Sequence, residues 1–212
     1  MAVTFPLSST VFSETLGVSK VVWTQLPGHL TSGTAAGAVI TSEIVSPKWQ
    51  ATIELAIQYI DDARKAVSML RRIGPHNPFY LHNPAIPYPQ SDPNGSILGS
   101  STVTIWDING REVRLTGLPA FYALKWGDMF SVNYGSNPLR TALYEVNEDV
   151  SADSFGNTPL FEVTPAPKFG MSIGSPVRLK KPVAKMRLVN FDPGASSSIF
   201  TDGTVFEALE TV

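Results

Sequence analysis

The chain has 212 residues, of which 43% are hydrophobic, enough to bury one large core or two small ones. Its 16 Lys and Arg residues against 18 Asp and Glu residues give a formal net charge of -2, without the basic block that marks a nucleic-acid-binding protein. The absence of cysteine excludes disulfides, thiol catalysis and zinc sites built on cysteine.

The N-terminal stretch MAVTFPLSSTVFSE lacks the basic start and the apolar run of a signal peptide. No stretch of the sequence approaches the roughly 20 apolar residues that a membrane-spanning helix needs. We therefore expect a protein without a membrane span that is not exported by the usual route.

Glycine and proline separate short runs in which apolar and polar residues alternate, and this pattern predicts a mainly β protein. Strands are predicted at residues 20–25, 36–45, 49–57, 79–82, 102–108, 112–116, 129–134, 141–147, 160–164, 177–179, 185–191 and 204–208. Residues 27–38, PGHLTSGTAAGA, are too polar and glycine-rich for a core, so we expect a long loop that a neighbouring subunit orders.

One segment has helical periodicity instead. Between Ile60 and Ile73 the apolar residues recur at spacings of three and four, which predicts an amphipathic helix. Two aspartates open this segment, two arginines close it, and Gly74-Pro75 follows, as the helix dipole and helix termination favour.

Two proline-rich stretches predict the domain organisation. Residues 84–101 have the composition of a connector, and the X-Pro pairs of residues 164–167 end the preceding strand. Residues 98–164 are therefore predicted to form an inserted β-barrel of about five strands, and residues 1–90 with 168–212 a discontinuous domain.

Within the inserted unit, Asn109-Gly110 predicts a tight β-hairpin, because both residues tolerate positive φ. The stretch Trp126-Gly127-Asp128 predicts a sharp barrel corner, with Trp126 packed over one end of the barrel.

Three patterns suggest chemistry, and each fails on its context. Residues 170–174, GMSIG, match the G-x-S-x-G nucleophile elbow around Ser172, but Pro176 and Pro182 forbid the helix that must follow. The three histidines all precede Ser172, whereas a hydrolase of this type needs one after it; they are His29, His76 and His82.

His76 and His82 could bind a metal only with a third ligand such as Asp92, and the flanking prolines favour polar loop residues instead. Residues 107–110, DING, start like a calcium loop, but the acidic residue expected at the twelfth position is absent. We therefore predict no catalytic, cofactor-binding or metal-binding residues and no enzymatic activity.

Four stretches carry a resemblance to a known family: Phe5-Pro6-Leu7; PKWQATIELA followed by DDARKAVSMLRRIGPHNPFYL; LTGLPAFYALKWGDMFSV; and GNTPLFEVTPAP. Together with the order of elements, they resemble the distal tail proteins of long-tailed bacteriophages, the siphophages. The resemblance spans most of the chain.

The resemblance implies a tail-tube-like β-barrel or sandwich with one flanking helix, formed by residues 1–90 and 168–212, and a peripheral OB-like barrel at residues 98–164. It further implies a homohexameric ring at the tail tip of the virion, made in the host cytoplasm. That ring joins the tail-tube protein above to the hub and tip proteins below, and DNA passes through its lumen without sequence-specific binding.

The resemblance does not extend to the long C-terminal carbohydrate-binding module of larger members, so we do not expect this chain to bind a host receptor directly. Sugars or separate receptor-binding proteins remain possible partners of the outer barrel, and the aromatic residues to test for this are Trp106, Tyr122 and Trp126, with packing as the preferred role of each. The alternatives to the ring component are a tail-tube or tube-terminating protein and a free sugar-binding β module.

Overall fold

A computed structural model gives the fold and describes residues 4–33, 39–43, 46–192, 200–201 and 204–211. The protein is mainly β, with a curled five-stranded sheet, a closed six-stranded antiparallel barrel and one main helix, which confirms the predicted fold class. The elements up to residue 81 are α1 (Ser9–Leu16), β1 (Val18–Leu26), β2 (His29–Gly33), β3 (Val39–Glu43), β4 (Lys48–Leu55), β5 (Gln58–Tyr59), α2 (Ile60–Ile73) and β6 (Phe79–Leu81). The elements that follow are β7 (Val103–Asn109), β8 (Glu112–Thr116), β9 (Ala123–Leu124), β10 (Met129–Tyr134), β11 (Arg140–Val146), β12 (Val150–Ser151), β13 (Phe161–Thr164), β14 (Pro176–Arg178), β15 (Ala184–Asp192), β16 (Phe200–Thr201) and β17 (Val205–Glu210).

The five-stranded sheet has the order β1-β4-β17-β15-β6, and every neighbouring pair is antiparallel. Its core combines side chains of the sheet with those of both helices. The Phe12 ring of α1 stacks on Phe79 of β6 at a centroid distance of 4.2 Å and meets Phe206 of β17 edge-on at 6.1 Å. These aromatic contacts fasten α1 to both β6 and the centre of the sheet.

Helix α2 spans Ile60–Ile73, as its periodicity predicts. Its buried face consists of Ala63, Ala66, Leu70 and Ile73. The helix ends at Gly74, which has φ 52° and donates its N–H to the carbonyl of Leu70.

Helix α1 is an element that the sequence pattern did not predict. The Ser8 side chain caps its first turn by accepting the N–H of Val11 at 3.4 Å, and Gly17 ends it in the left-handed conformation at φ 62°. The helix has only eight residues, so too few apolar positions repeat at helical spacing to distinguish it from the surrounding β pattern.

The predicted loop at residues 27–38 is partly a strand. Residues 29–33 form β2, which pairs with β3 in a separate two-stranded antiparallel sheet. Residues 34–38 lie outside the described residues. Only two residues, Pro27 and Gly28, separate β1 from β2, so the hairpin follows directly on an edge strand of the main sheet.

The barrel closes in the order β10-β11-β13-β8-β7-β14, with β14 returning to β10. Strand β13 ends at Thr164, where the X-Pro pairs predict an end. The barrel nevertheless extends beyond the predicted boundary, because β14 lies at residues 176–178 and pairs with both β7 and β10. Without β14, these two strands would expose their unpaired edges, which explains why the chain returns to the barrel.

Residues 84–101 form turns and no strand, but they pack as part of the barrel rather than as an exposed linker. The Asp92 carboxylate is buried and accepts the N–H groups of Ile97 and Leu98 at 3.1 and 2.9 Å. Leu98 itself belongs to the barrel core. Barrel and connector together lie between β6 and β15, whose residues Leu81 and Ala184 pair directly.

Candidate interaction surfaces

The G-x-S-x-G pattern lies in a loop that leads into strand β14 instead of a helix. The Ser172 N–H donates to the Ser175 hydroxyl at 3.3 Å, and the Gly174 N–H donates to the Ile105 carbonyl at 2.8 Å. The loop is thus anchored to the barrel edge at β7, and its backbone lacks the strand–turn–helix geometry of a nucleophile elbow.

The residues considered as metal ligands lie in different environments. His76 is exposed, while His82 is buried, and the Asp92 oxygens bind the backbone of their own loop. Within the described ranges no group of three or more His, Asp or Glu side chains is arranged to hold a metal ion. Burial, and then the charges of Lys181 and Arg178, lower the pKa of His82, so its ring favours the neutral form.

Asp92 is a structural carboxylate of the connector. Burial alone would raise the pKa of Asp92, but the N–H groups of Leu98, Ile97 and Ser96 and the charge of Lys180 lower it below its ordinary value. The ionised form is therefore the one that the folded connector stabilises.

Residues 107–110 form the predicted hairpin between β7 and β8. Asn109 pairs with Glu112, so the two turn residues are Gly110 and Arg111, and the positive φ of 61° falls on Gly110. Asn109 therefore ends a strand, one position before the turn in which it was predicted. The Asp107 carboxylate accepts the Ile108 N–H at 2.8 Å.

The Trp-Gly-Asp stretch is a corner, as predicted, but Trp126 does not cap the barrel. Gly127 has φ 86°, and the Asp128 carboxylate accepts the N–H groups of Lys125 and Gln90 at 2.8 and 2.9 Å. These bonds tie the corner to the connector. The Trp126 side chain points away from the core and is 68% exposed.

Tyr122 and Trp106 differ in how far their side chains are exposed to solvent. Tyr122 is buried, as its predicted packing role requires, and its hydroxyl lies 3.5 Å from Asp92 Oδ2. Trp106 is 43% exposed at a bulge in β7, and the Arg114 guanidinium lies 5.0 Å from its ring centroid. For Trp106 and Trp126 the packing prediction is wrong, because neither ring enters the barrel core.

Two further aromatic side chains are exposed together at one end of the barrel. The Phe121 N–H donates to the Asp153 carbonyl at 3.2 Å, and the Phe155 N–H donates to the carboxylate of the same aspartate at 2.8 Å. Asp153 thus holds both backbones, and Phe121 has a positive φ of 59°. No sequence pattern marks these two positions as exposed, since an isolated phenylalanine usually packs in a core.

The two edges of the five-stranded sheet differ. The β6 edge is covered by the N-terminal segment, because Leu7 bridges to Phe79, donates to the Pro78 carbonyl and accepts the Tyr80 N–H. The β1 edge has nine residues and, within the described part of the chain, pairs with no strand other than β4, while the Asn83 amide donates to the Val21 carbonyl at 3.5 Å. An edge strand of this length, paired on one side, presents further backbone N–H and C=O groups to a partner.

The sheet and the barrel meet at a junction centred on Trp49. The Trp49 indole donates to the Leu143 carbonyl of β11 at 2.8 Å, and its backbone N–H donates to the buried Glu210 carboxylate at 3.1 Å. Lys168 reaches the same region and donates to the Pro47 carbonyl at 2.9 Å. Burial raises the pKa of Glu210, which Lys168 and the Trp49 N–H only partly oppose.

Comparison with protein-family models finds no match for this chain. Comparison with curated proteins also finds no significantly similar sequence. No helix within the described residues is long and apolar enough to cross a membrane.

Proposed function

We propose that the chain is a structural subunit of a phage tail tip, a distal tail protein that forms a closed ring between the tail tube and the hub. Its mechanism is binding between copies and to neighbouring tail proteins, and DNA passes through the lumen. The proposal rests on the resemblance of the sequence and on one observation, the asymmetry of the five-stranded sheet.

The sheet has one covered edge and one open edge, so a contact between copies that extends the sheet uses the β1 edge: pairing of β1 with β1 gives a dimer, and pairing of β1 with another segment gives a head-to-tail contact. Strand β1 presents the open edge and continues almost directly into the β2–β3 hairpin. A hairpin that lies along β1 of the next copy forms a head-to-tail contact. Head-to-tail contacts that close on themselves give a ring, which leaves no exposed edge to continue growth.

Side chains on β1 favour such a partner. Val22 is 44% exposed, and Leu26 on the same face of the strand is also exposed. Exposed apolar side chains on an edge strand favour aggregation of a monomer, and a neighbouring subunit that covers them prevents it.

The closed barrel suits a peripheral position in the ring. All six of its strands are paired on both sides, so it has no strand edge to offer to a neighbouring copy. The Trp49 and Lys168 contacts hold it against the sheet. A plain tail-tube subunit needs no second barrel, which favours the distal tail protein over the tail-tube and tube-terminating alternatives.

The experiment compares Val22→Lys with Val205→Lys. Both valines are partly exposed on strands of the same sheet, at 44% and 41%, but β1 is the open edge and β17 lies between two strands. We expect mass photometry of the purified protein to give the mass of a hexamer and negative-stain images to show closed rings. A lysine at residue 22 places one unpaired ammonium group in every head-to-tail contact, so it should dissociate the rings, whereas the lysine at residue 205 should leave them intact.

Circular dichroism and thermal unfolding of both variants check that the monomer stays folded. A strictly monomeric wild-type chain at high concentration, together with no labelled ring at the tail tip of virions, would defeat the proposal. Rings that form only in virions would mean that neighbouring tail proteins template the assembly.

A free sugar-binding module is the second candidate, and the exposed Trp126 ring favours it. Polar side chains bind the backbone of this residue and the side chain of its neighbour: Gln90 donates to the Trp126 carbonyl, and Lys125 pairs with Asp149 at 2.8 Å. An aromatic platform with polar neighbours suits the apolar face and the hydroxyls of a sugar. Glycan-array binding by the monomer that is lost in Trp126→Ala would favour this function over the ring.

A further inference from the structure

A cleft of about 330 Å³ lies between the connector and strand β14. One wall contains Tyr88 and Leu98, and the other runs from Val177 to Lys181. The second wall carries three cationic side chains within four residues, Arg178, Lys180 and Lys181. Among the described residues, no carboxylate lines the cleft.

The backbone of this segment is held at defined positions. The Arg178 Nε donates to the Lys180 carbonyl at 2.9 Å, which leaves the two terminal nitrogens of the guanidinium without a partner in the described structure. The Lys180 ammonium donates to the Gly99 carbonyl across the cleft. The Lys181 N–H donates to the Pro87 carbonyl at 2.6 Å, and this residue has a left-handed φ of 47°.

A non-glycine residue with φ near 47° has a strained backbone, and such strain persists where surrounding contacts hold it. Here the Lys181 N–H bond to the Pro87 carbonyl and the Lys180 ammonium bond to the Gly99 carbonyl hold the segment of residues 178–181 against the connector. This segment carries all three cations and forms one rim of the cleft.

The positive charge of this rim is the second feature of the cleft. Among the described residues, none of the three cations forms an ion pair with a carboxylate. Asp92 is the nearby acid whose pKa responds to Lys180, but it is buried and its oxygens accept backbone N–H groups. The lowered pKa of His82, to which Lys181 and Arg178 contribute, is consistent with the positive potential on the other side of the segment.

We propose that this cleft binds an acidic peptide segment of a partner protein, with a carboxylate on Arg178 and Lys181 and an apolar side chain between Tyr88 and Val177. The planar guanidinium matches a carboxylate, and an aromatic and aliphatic wall beside it favours a peptide over a bare phosphate. This site does not depend on ring formation, and no residue of β1 lines it.

The test uses two capped tetrapeptides, Phe-Asp-Glu-Leu and its uncharged counterpart Phe-Asn-Gln-Leu, titrated into ¹⁵N-labelled protein with two-dimensional NMR as the readout. We expect the acidic peptide to shift amide signals of the cleft, including that of Gly99, and the uncharged peptide to leave them in place. Inorganic phosphate is titrated separately. Binding should weaken as salt is added, because exposed charges are screened.

Arg178→Gln should weaken binding about five- to tenfold, the loss expected for one charge-assisted contact. Arg187→Gln is the matched control, since Arg187 is exposed on β15, outside the cleft lining, and this variant should bind like the wild type. Lys181→Gly is the second variant. It removes a cation and relieves the positive φ, so weaker binding in this variant cannot be attributed to a strained backbone.

Equal shifts with both peptides would overturn the proposal, because the cations would then have no part in binding. Tighter saturable binding of phosphate than of the acidic peptide would also overturn it and assign a phosphate site instead. Binding that is unchanged in both Arg178→Gln and Lys181→Gly, or no shifts at all, would have the same consequence.

Discussion

The docking of helix α1 makes Phe12→Ala the most informative test of the sheet core. The Phe12 ring is fully buried, stacks on Phe79 at 4.2 Å and 4° between planes, and meets Phe206 edge-on. An aromatic side chain buries about 150–250 Å², which at about 25 cal/mol/Å² corresponds to roughly 4–6 kcal/mol. Alanine keeps part of this burial, so we expect a loss of about 3–5 kcal/mol in the free energy of unfolding.

Urea unfolding followed by tryptophan fluorescence measures this loss, because Trp23 and Trp49 pack in or against the same core. With a slope of about 2 kcal/mol/M, the unfolding midpoint should fall by about 1.5–2.5 M. Val11→Ala is the control on the same helix, since Val11 is exposed, and it should change the stability by less than about 0.5 kcal/mol.

Similar small losses for Phe12→Ala and Val11→Ala would refute the reasoning. They would mean that α1 is not docked on the sheet in solution, because an eight-residue helix has little stability of its own and depends on packing.

Four further predictions concern the barrel and its junction. Replacing residues 82–183 with Asn-Gly should leave a folded five-stranded sheet, since the flanking residues already pair across β6 and β15; aggregation of the product would show that the two cores fold as one. Gly110→Val should destabilise the barrel by about 1–3 kcal/mol in thermal unfolding through its φ of 61°, and an unchanged melting temperature would contradict the turn geometry. The lowered pKa of Asp92 means that its stabilisation is present above the ordinary pKa and lost as the pH falls through the folded value. Asp92→Asn should therefore be less stable than wild type at pH 7, and the difference should shrink in acid. Urea unfolding at several pH values measures this, and a difference in the free energy of unfolding that stays constant with pH would rule it out. The raised pKa of Glu210 has the opposite effect on stability. The contribution of Glu210 is fully present below its ordinary pKa and is lost as the pH rises through the pKa of the folded state. Glu210→Gln should therefore make the free energy of unfolding fall less steeply with rising pH. If the stability of the variant falls with pH as steeply as that of the wild type, the fall is caused by other titrating groups.

The sequence predicted the elements whose signals are local and long. Helix α2 has fourteen residues of regular spacing and matching end charges, and most strands of both units have clear alternation between turns. Helix α1 escaped because its evidence is a serine cap, a terminal glycine and two apolar residues, Phe12 and Leu16, that reveal their role only when packed on the sheet.

Features that depend on tertiary contacts were beyond the sequence. Proline at residues 164–167 correctly ended a strand, but nothing local indicates that residues 176–178 return to close the barrel. The exposed position of Trp126 goes with a corner that Asp128 holds through the N–H of Lys125 and, in the connector, the N–H of Gln90. The cationic rim was missed because three positive charges in four residues are too few to stand out as a basic segment of the sequence. Their position beside the connector depends on the tertiary contacts of Lys181 with Pro87 and of Lys180 with Gly99.

The position of β17 within the sheet has a consequence for the order in which the protein folds during synthesis. Residues 205–210 lie between β4 and β15, so one side of β4 has no partner until the ribosome has released residues more than 150 positions later. All six strands of the barrel emerge before β15 and β17. The barrel can therefore complete its hydrogen bonds on the nascent chain, while the sheet waits with an apolar surface and an open strand edge that chaperones would recognise.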